Sequence, residues 1–187
     1  KAFMRIYAEK IPAPLYGELL GKNTAAAAFE LMEMGEPPGD LAIATTISSS
    51  QDEADRQAAK IVDVFLKENA IKAYVVKSKE EQTALWDARD LITTRLQKVK
   101  GQKRKLRAGG FEIGVPLSRL AEFFSYIKSG PPGYPNLSKN EVMFYGHVGA
   151  SGPHVSWTVS ENAPEEERIQ SIKEARLLEN EFTVKWG

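Results

Sequence analysis

EVMFYGHVGASGPHVSWTVS, residues 141 to 160, reads as the two strands of a hairpin. Both halves have strand composition, and a connection rich in glycine and proline separates them. The only two histidines of the chain, His147 and His154, flank that connection. Paired directly across the hairpin, they would hold their Cβ atoms about 5 Å apart, close enough to share an ion. Imidazoles placed in this way can ligate a metal, exchange a proton near neutral pH, or satisfy hydrogen bonds at a hairpin end. The hairpin alone leaves all three open.

Working outward, residues 164 to 180 predict an amphipathic helix after the hairpin. Before it, Leu117, Leu120, Phe123, Phe124 and Ile127 form a helical stripe that follows FEIGVP, a strand. KEEQTALWDARDLITTRLQ (79 to 97) predicts a long helix and IKAYVVKS (71 to 78) another strand. Ser50 with Glu53 three residues on fits a capping box, which opens a helix after the strand LAIATTIS (41 to 48). The order is strand, helix, strand, inserted helix, strand, helix, strand, strand, helix. Without the insertion, its first six elements have the split β-α-β, ferredoxin-like order. The expected fold is α+β: a ferredoxin-like antiparallel sheet with helices on one face and one inserted helix. Residues 1 to 39, with Pro12, Pro14 and the alanine-rich NTAAAAFELMEMG, read as an extended and helical segment of a larger protein. Residues 40 to 187 read as the domain proper. The end FTVKWG resembles an interrupted apolar alternation, so this domain is expected to be cut short at its C-terminal end.

Composition narrows the chemistry. With 187 residues, 42% hydrophobic and 27% charged, the chain suits one well-buried core. Basic and acidic residues are equal at 25 each, which gives no global attraction to nucleic acid or anionic lipid. There is no cysteine, so a thiol nucleophile and thiolate metal sites are excluded. No apolar run has the roughly 20 residues of a membrane span, and the opening KAFMRIYAEK has no signal-peptide core. A cytoplasmic chain, at most peripheral to a membrane, is expected.

Three stretches, ALWDARDLI (84 to 92), EIGVPLSRLAEFF (112 to 124) and GHVGASGPH (146 to 154), together resemble the C-terminal domain of FAD-linked oxidases. That group includes flavoenzymes of the glycolate oxidase, D-lactate dehydrogenase and D-2-hydroxyglutarate dehydrogenase type. The resemblance covers most of residues 40 to 187. It implies a cap domain that closes over the flavin and supplies the substrate pocket. The parent is then an FAD-dependent oxidoreductase acting on the CH–OH group of a small 2-hydroxy acid. FAD would be bound by another domain of the same parent chain, since no glycine-rich phosphate cradle occurs here. The fragment alone is expected to be inactive.

The family pattern around the histidines is Gly-His-x-Gly-Asp-Gly-Asn-x-His. Gly146, His147, Gly149 and His154 match it, whereas Ala150, Ser151 and Gly152 depart from it. The resemblance implies that His147 and His154 are catalytic, as acid and base or as ligands of a divalent zinc, iron or manganese ion whose third ligand lies outside this chain. Carboxylates normally fix a ligating imidazole, and Ala150 cannot do so. The resemblance also implies that Arg89 receives the substrate carboxylate in two parallel hydrogen bonds, with Thr93 on the same helix face. The competing reading of Arg89 is a surface pair with Asp87 or Asp90. Trp86 is expected to pack its helix onto the sheet. Gly109 and Gly110 stand where some relatives carry a lysine before the Val-Pro step, which bears on specificity for 2-hydroxy acids.

KVKGQKRKLR, residues 98 to 107, has six basic residues and no acid. It reads as a solvated loop or as a docking patch for an acidic electron acceptor or a membrane surface. A nucleic-acid partner is not expected, because the aromatics are spaced as core residues. A second function class is a stand-alone ferredoxin-like module that senses a small acid or a metal without catalysis.

Overall fold

The computed structural model describes residues 1–9, 11, 16–31, 33, 35–95, 105–148, 152–160 and 162–186, with the side chains of 8, 31, 91–95 and 105–109 outside that description. As expected, the fold is α+β around one antiparallel sheet. Strand β1 is Tyr16–Leu20, β2 Leu41–Thr45, β3 Lys105–Glu112, β4 Glu141–His147 and β5 Pro153–Ser160. Their order across the sheet is β2-β1-β4-β5-β3. The helices are α1 Ala2–Ala8, α2 Lys22–Leu31, α3 Gln51–Lys67, α4 Lys79–Arg95, α5 Leu120–Lys128, α6 Pro135–Ser138 and α7 Glu165–Trp186, and a 3-10 turn, Leu117–Arg119, leads into α5.

Local signals placed most of these elements. Ser50 caps α3, its hydroxyl accepting from the Glu53 amide at 3.3 Å. The other half of the box is not made: Glu53 instead accepts from the Ser48 and Ser49 hydroxyls. β4 and β5 form the expected hairpin, Phe144 opposite Val155 and Tyr145 opposite His154.

Helices pack on both faces of the sheet rather than on the one expected, and three expectations about local structure fail. The segment 71 to 78 is not a strand: Ile71 and Tyr74 are exposed, Lys77 pairs with Asp55, and the Val76 carbonyl accepts from the Gln82 side chain. The strand beside β2 is instead β1, drawn from the stretch read as an N-terminal extension and paired on both edges, to β2 and β4. FTVKWG is not an interrupted alternation either. α7 continues as far as Trp186, because Ala175, Leu178, Phe182 and Trp186 recur at helical spacing and are all buried. Part of the basic run, Lys105 to Arg107, is strand rather than loop, paired with Thr158 to Ser160 of β5; residues 98 to 104 lie outside the described residues.

Alternation along the strands divides the sheet into two faces. Phe144, Val155, Trp157, Val159 and Phe111 share one face with the buried residues of α5, α6 and α7. Phe182 meets Phe111 edge-on at 4.9 Å, and Trp186 meets Phe123 at 5.6 Å. Aromatic pairs of this kind add about 0.5–1.5 kcal/mol each beyond their burial. Residues of α1 and α3 pack with Leu19, Ala42 and Ala44 at the other end of the same face. The opposite face carries Leu20, Ile43 and Tyr145, packed with Ala25 and Ala28 of α2 and Leu85 and Ala88 of α4. No helix among the described residues is long and apolar enough to cross a membrane.

Candidate functional site

The polar residues of interest lie on the face that α2 and α4 share. Register puts them there. Glu18 of β1 is directly opposite His147 of β4, Tyr145 of β4 is opposite His154 of β5, and His154 is opposite Glu112 of β3. Tyr16 precedes Glu18 by two residues, so it points to the same side. Arg89 reaches down from α4, whose neighbouring Ala88 is buried against the sheet.

Glu18 is the centre. Its side chain is 0% exposed, and its two oxygens serve different partners. Oε1 accepts from Arg89 Nε at 3.0 Å and Nη2 at 2.9 Å. Oε2 accepts from the Tyr16 hydroxyl at 2.7 Å and lies 3.1 Å from Nδ1 of His147. That nitrogen is buried, and the contact falls short of an aligned hydrogen bond. Arg89 is only 17% exposed, and its Nη1 also bonds Asp90 at 3.1 Å. Its guanidinium sits 5.5 Å from the Tyr145 ring. Tyr145 in turn stacks on His154 at 4.8 Å, and Nδ1 of His154 is 3.4 Å from Glu112.

The electrostatics follow from burial and from the one carboxylate. Burial, and then the bond to Glu18, pushes the Tyr16 phenol up to about 12. Burial works against the charge on Arg89, but Glu18 more than offsets it and the pKa ends above its ordinary value. The folded chain therefore binds the Tyr16 proton more tightly than the unfolded chain does. Its contribution to stability is full below about pH 10, the ordinary phenol value, and is lost as pH rises through about 12. We expect the difference in tyrosinate absorbance between the wild type and Tyr16→Phe to appear near pH 12; a transition near 10 would show that Glu18 does not hold this phenol.

Several sequence expectations meet this geometry directly. His147 and His154 share a face but are not paired. His154 is opposite Tyr145, two residues before His147, so the imidazoles belong to diagonal neighbours about 7–8 Å apart, not to a directly opposed pair. Ala150 does not have to support an imidazole, because Glu18 and Glu112 each stand beside an Nδ1. Arg89 does pair with Asp90, but its principal partner is Glu18. Trp86 packs as expected, its ring edge-on to Tyr16 at 5.2 Å. Thr93 is on α4, but its side chain lies outside the described residues, as do residues 149–151 of the loop. Among the described residues no group of three or more histidine, aspartate and glutamate side chains could hold a metal ion.

Sequence reading missed Tyr16, Glu18, Tyr145 and Glu112. A signal existed for the second: YGELL is an apolar stretch with one acid at a strand's inward period.

The loop end of the hairpin is held by two glycines. Gly146 has φ +148°, where a side chain is strained, and a Cβ there would meet Pro153 Cα at 3.0 Å. A Cβ on Gly152 would overlap the carbonyl of Ile113. Backbone therefore crosses backbone just beyond β3, which fixes the start of β5 and with it His154.

What the arrangement can do is limited by its donors. Glu18 takes the Nε–Nη2 side of the guanidinium and Asp90 bonds Nη1, so a second acceptor at the Nη1–Nη2 end would share Nη1 with Asp90. Both imidazoles turn Nδ1 to a carboxylate, which leaves Nε2 as the nitrogen for substrate or metal. No curated protein matches the chain significantly. The family of FAD linked oxidases, C-terminal domain, matches residues 1–183, β1 and Glu18 included, and the chain belongs to that family.

Proposed function

We propose that this chain is the substrate-facing domain of an FAD-dependent oxidoreductase that oxidises the CH–OH group of a small 2-hydroxy acid. Family membership supports an oxidoreductase parent that uses FAD. The observation that carries the finer reading is the gathering of one guanidinium and two imidazoles on a single face of the sheet. Arg89 would receive the substrate carboxylate on its Nη1–Nη2 end, and Thr93, one turn on, would lie beside it. His147 Nε2 would take the hydroxyl proton, and His154, stacked on Tyr145, would orient the same hydroxyl. A bound FAD supplies the acceptor for the hydride from the hydroxyl-bearing carbon, and the product is the 2-oxo acid.

In the alternative role of the histidines, a divalent zinc, iron or manganese ion would use Nε2 of both, which then could not take the proton, with further donors from outside the described residues. The basic residues of 98 to 107 would serve an acidic electron acceptor or a membrane surface.

Anaerobic flavin bleaching by a panel of 2-hydroxy acids in the whole parent tests the reading, together with metal analysis before and after chelation. Arg89→Lys, which keeps the charge and loses the fork, is expected to raise KM for the acid more than tenfold with FAD content unchanged. An acid that binds without bleaching the flavin would instead support a non-catalytic sensing module.

A further inference from the structure

We infer that Glu18 is the positioning residue of this site, a single carboxylate that couples Arg89 on α4 to His147 on β4 and holds the neutral His147 ring with its proton on Nδ1. The kinetic part rests on the function proposed above; the structural part does not.

The division of the carboxylate carries the argument. Oε1 holds the helix-borne guanidinium through two donors, and Oε2 holds the strand-borne Tyr16 and faces His147. A fully buried carboxylate surrounded this way has no solvent to accept from, so its partners must supply every donor it needs. Tyr16 gives one hydroxyl and Arg89 gives two N–H groups. The remaining donor on the Oε2 side is His147, at 3.1 Å, and it donates there only if Nδ1 carries the hydrogen. With the opposite tautomer, a lone pair on Nδ1 would face a carboxylate oxygen at the same distance, and a buried nitrogen would stay unpaired. A rotation of the ring would be needed to complete the bond. The edge-on Tyr16 ring, 4.7 Å away, limits how far the imidazole turns.

The two histidines are therefore not equivalent. Glu112, the carboxylate beside His154, is 57% exposed and 3.4 Å away, so water competes for it and the tautomer of His154 is not fixed in the same way. His147 presents a defined basic Nε2; His154 is placed by stacking on Tyr145. Since Glu18 also holds Arg89, any shift of this carboxylate moves the anion receptor and the proton acceptor together.

The test is nitrogen-15 NMR on the full chain with labelled histidine, above the pH range in which imidazoles titrate, with His147→Asn to assign the signal. The wild type is expected to show His147 protonated on Nδ1, and Glu18→Gln to lose most of that preference. Protonation on Nε2 in the wild type overturns the proposal even if Glu18→Gln does not fold, and so does an unchanged preference in a folded Glu18→Gln. In the whole parent, Glu18→Gln is expected to lower kcat by about 10–100-fold and to raise KM as well, the range typical of lost support behind a ligating imidazole; a raised KM with kcat unchanged would show that Glu18 serves Arg89 only and overturn the coupling. The tautomer readout needs no substrate. A parent that oxidises no 2-hydroxy acid would remove the proposed function and leave this inference standing.

Discussion

Arg89→Met is expected to destabilise the fold by about 3–5 kcal/mol, the usual cost of stranding one member of a buried ion pair. Glu18 has no exposure, and two of its bonds come from Arg89. Tyr16 and His147 cannot replace them, because both approach the other oxygen. Glu18→Leu combined with Arg89→Met should recover much of the loss, since the uncompensated charge is gone while the volume is roughly kept. Denaturant unfolding of the single and double variants measures the difference. A loss under about 1 kcal/mol for Arg89→Met would mean that water reaches Glu18, and the site would then not be organised around it. This result also separates the structural role of Arg89 from the proposed one: weakened acid binding in an Arg89 variant has to be corrected for this structural loss before it is read as recognition.

Gly152→Ala is the second large effect. Overpacking ordinarily costs about 1–3 kcal/mol when side chains can yield. Here the new Cβ would overlap the Ile113 carbonyl and lie 2.9 Å from the Gly114 nitrogen, and these are backbone atoms at the end of β3. The cost is expected to exceed about 3 kcal/mol, with the start of β5 displaced and His154 carried with it. Thermal unfolding and the Tyr145–His154 ring-current shifts read the outcome. A variant of wild-type stability with unshifted His154 resonances would show that the strand ends slide freely past each other.

Legibility in the sequence followed the range of the physics. The hairpin around GHVGASGPH, the Ser50 cap and the stripe of α5 all rest on periods and caps that act within a few residues, and all were readable. The segment 71 to 78 has strand composition too, yet among the described residues no strand pairs with it, while YGELL, less conspicuous behind Pro12 and Pro14, gained two. Pairing is a choice among distant segments, and composition does not record it. The tail followed the same rule. FTVKWG alternates as a strand would, but Phe182 and Trp186 also continue the spacing set by Ala175 and Leu178, and the aromatic core decides for the helix.

The sequence by itself determined the α+β class, the kinds of chemistry on offer and the two imidazoles beside one loop, because residue type and short-range spacing are enough for these. Only the tertiary structure decided which partner each group meets. Register set His154 opposite Tyr145 rather than His147. Sheet pairing and the descent of α4 brought Arg89 onto Glu18, 71 residues away along the chain. The reason is that a buried carboxylate is defined by donors that meet only when the sheet closes, and no local pattern in the chain carries that meeting.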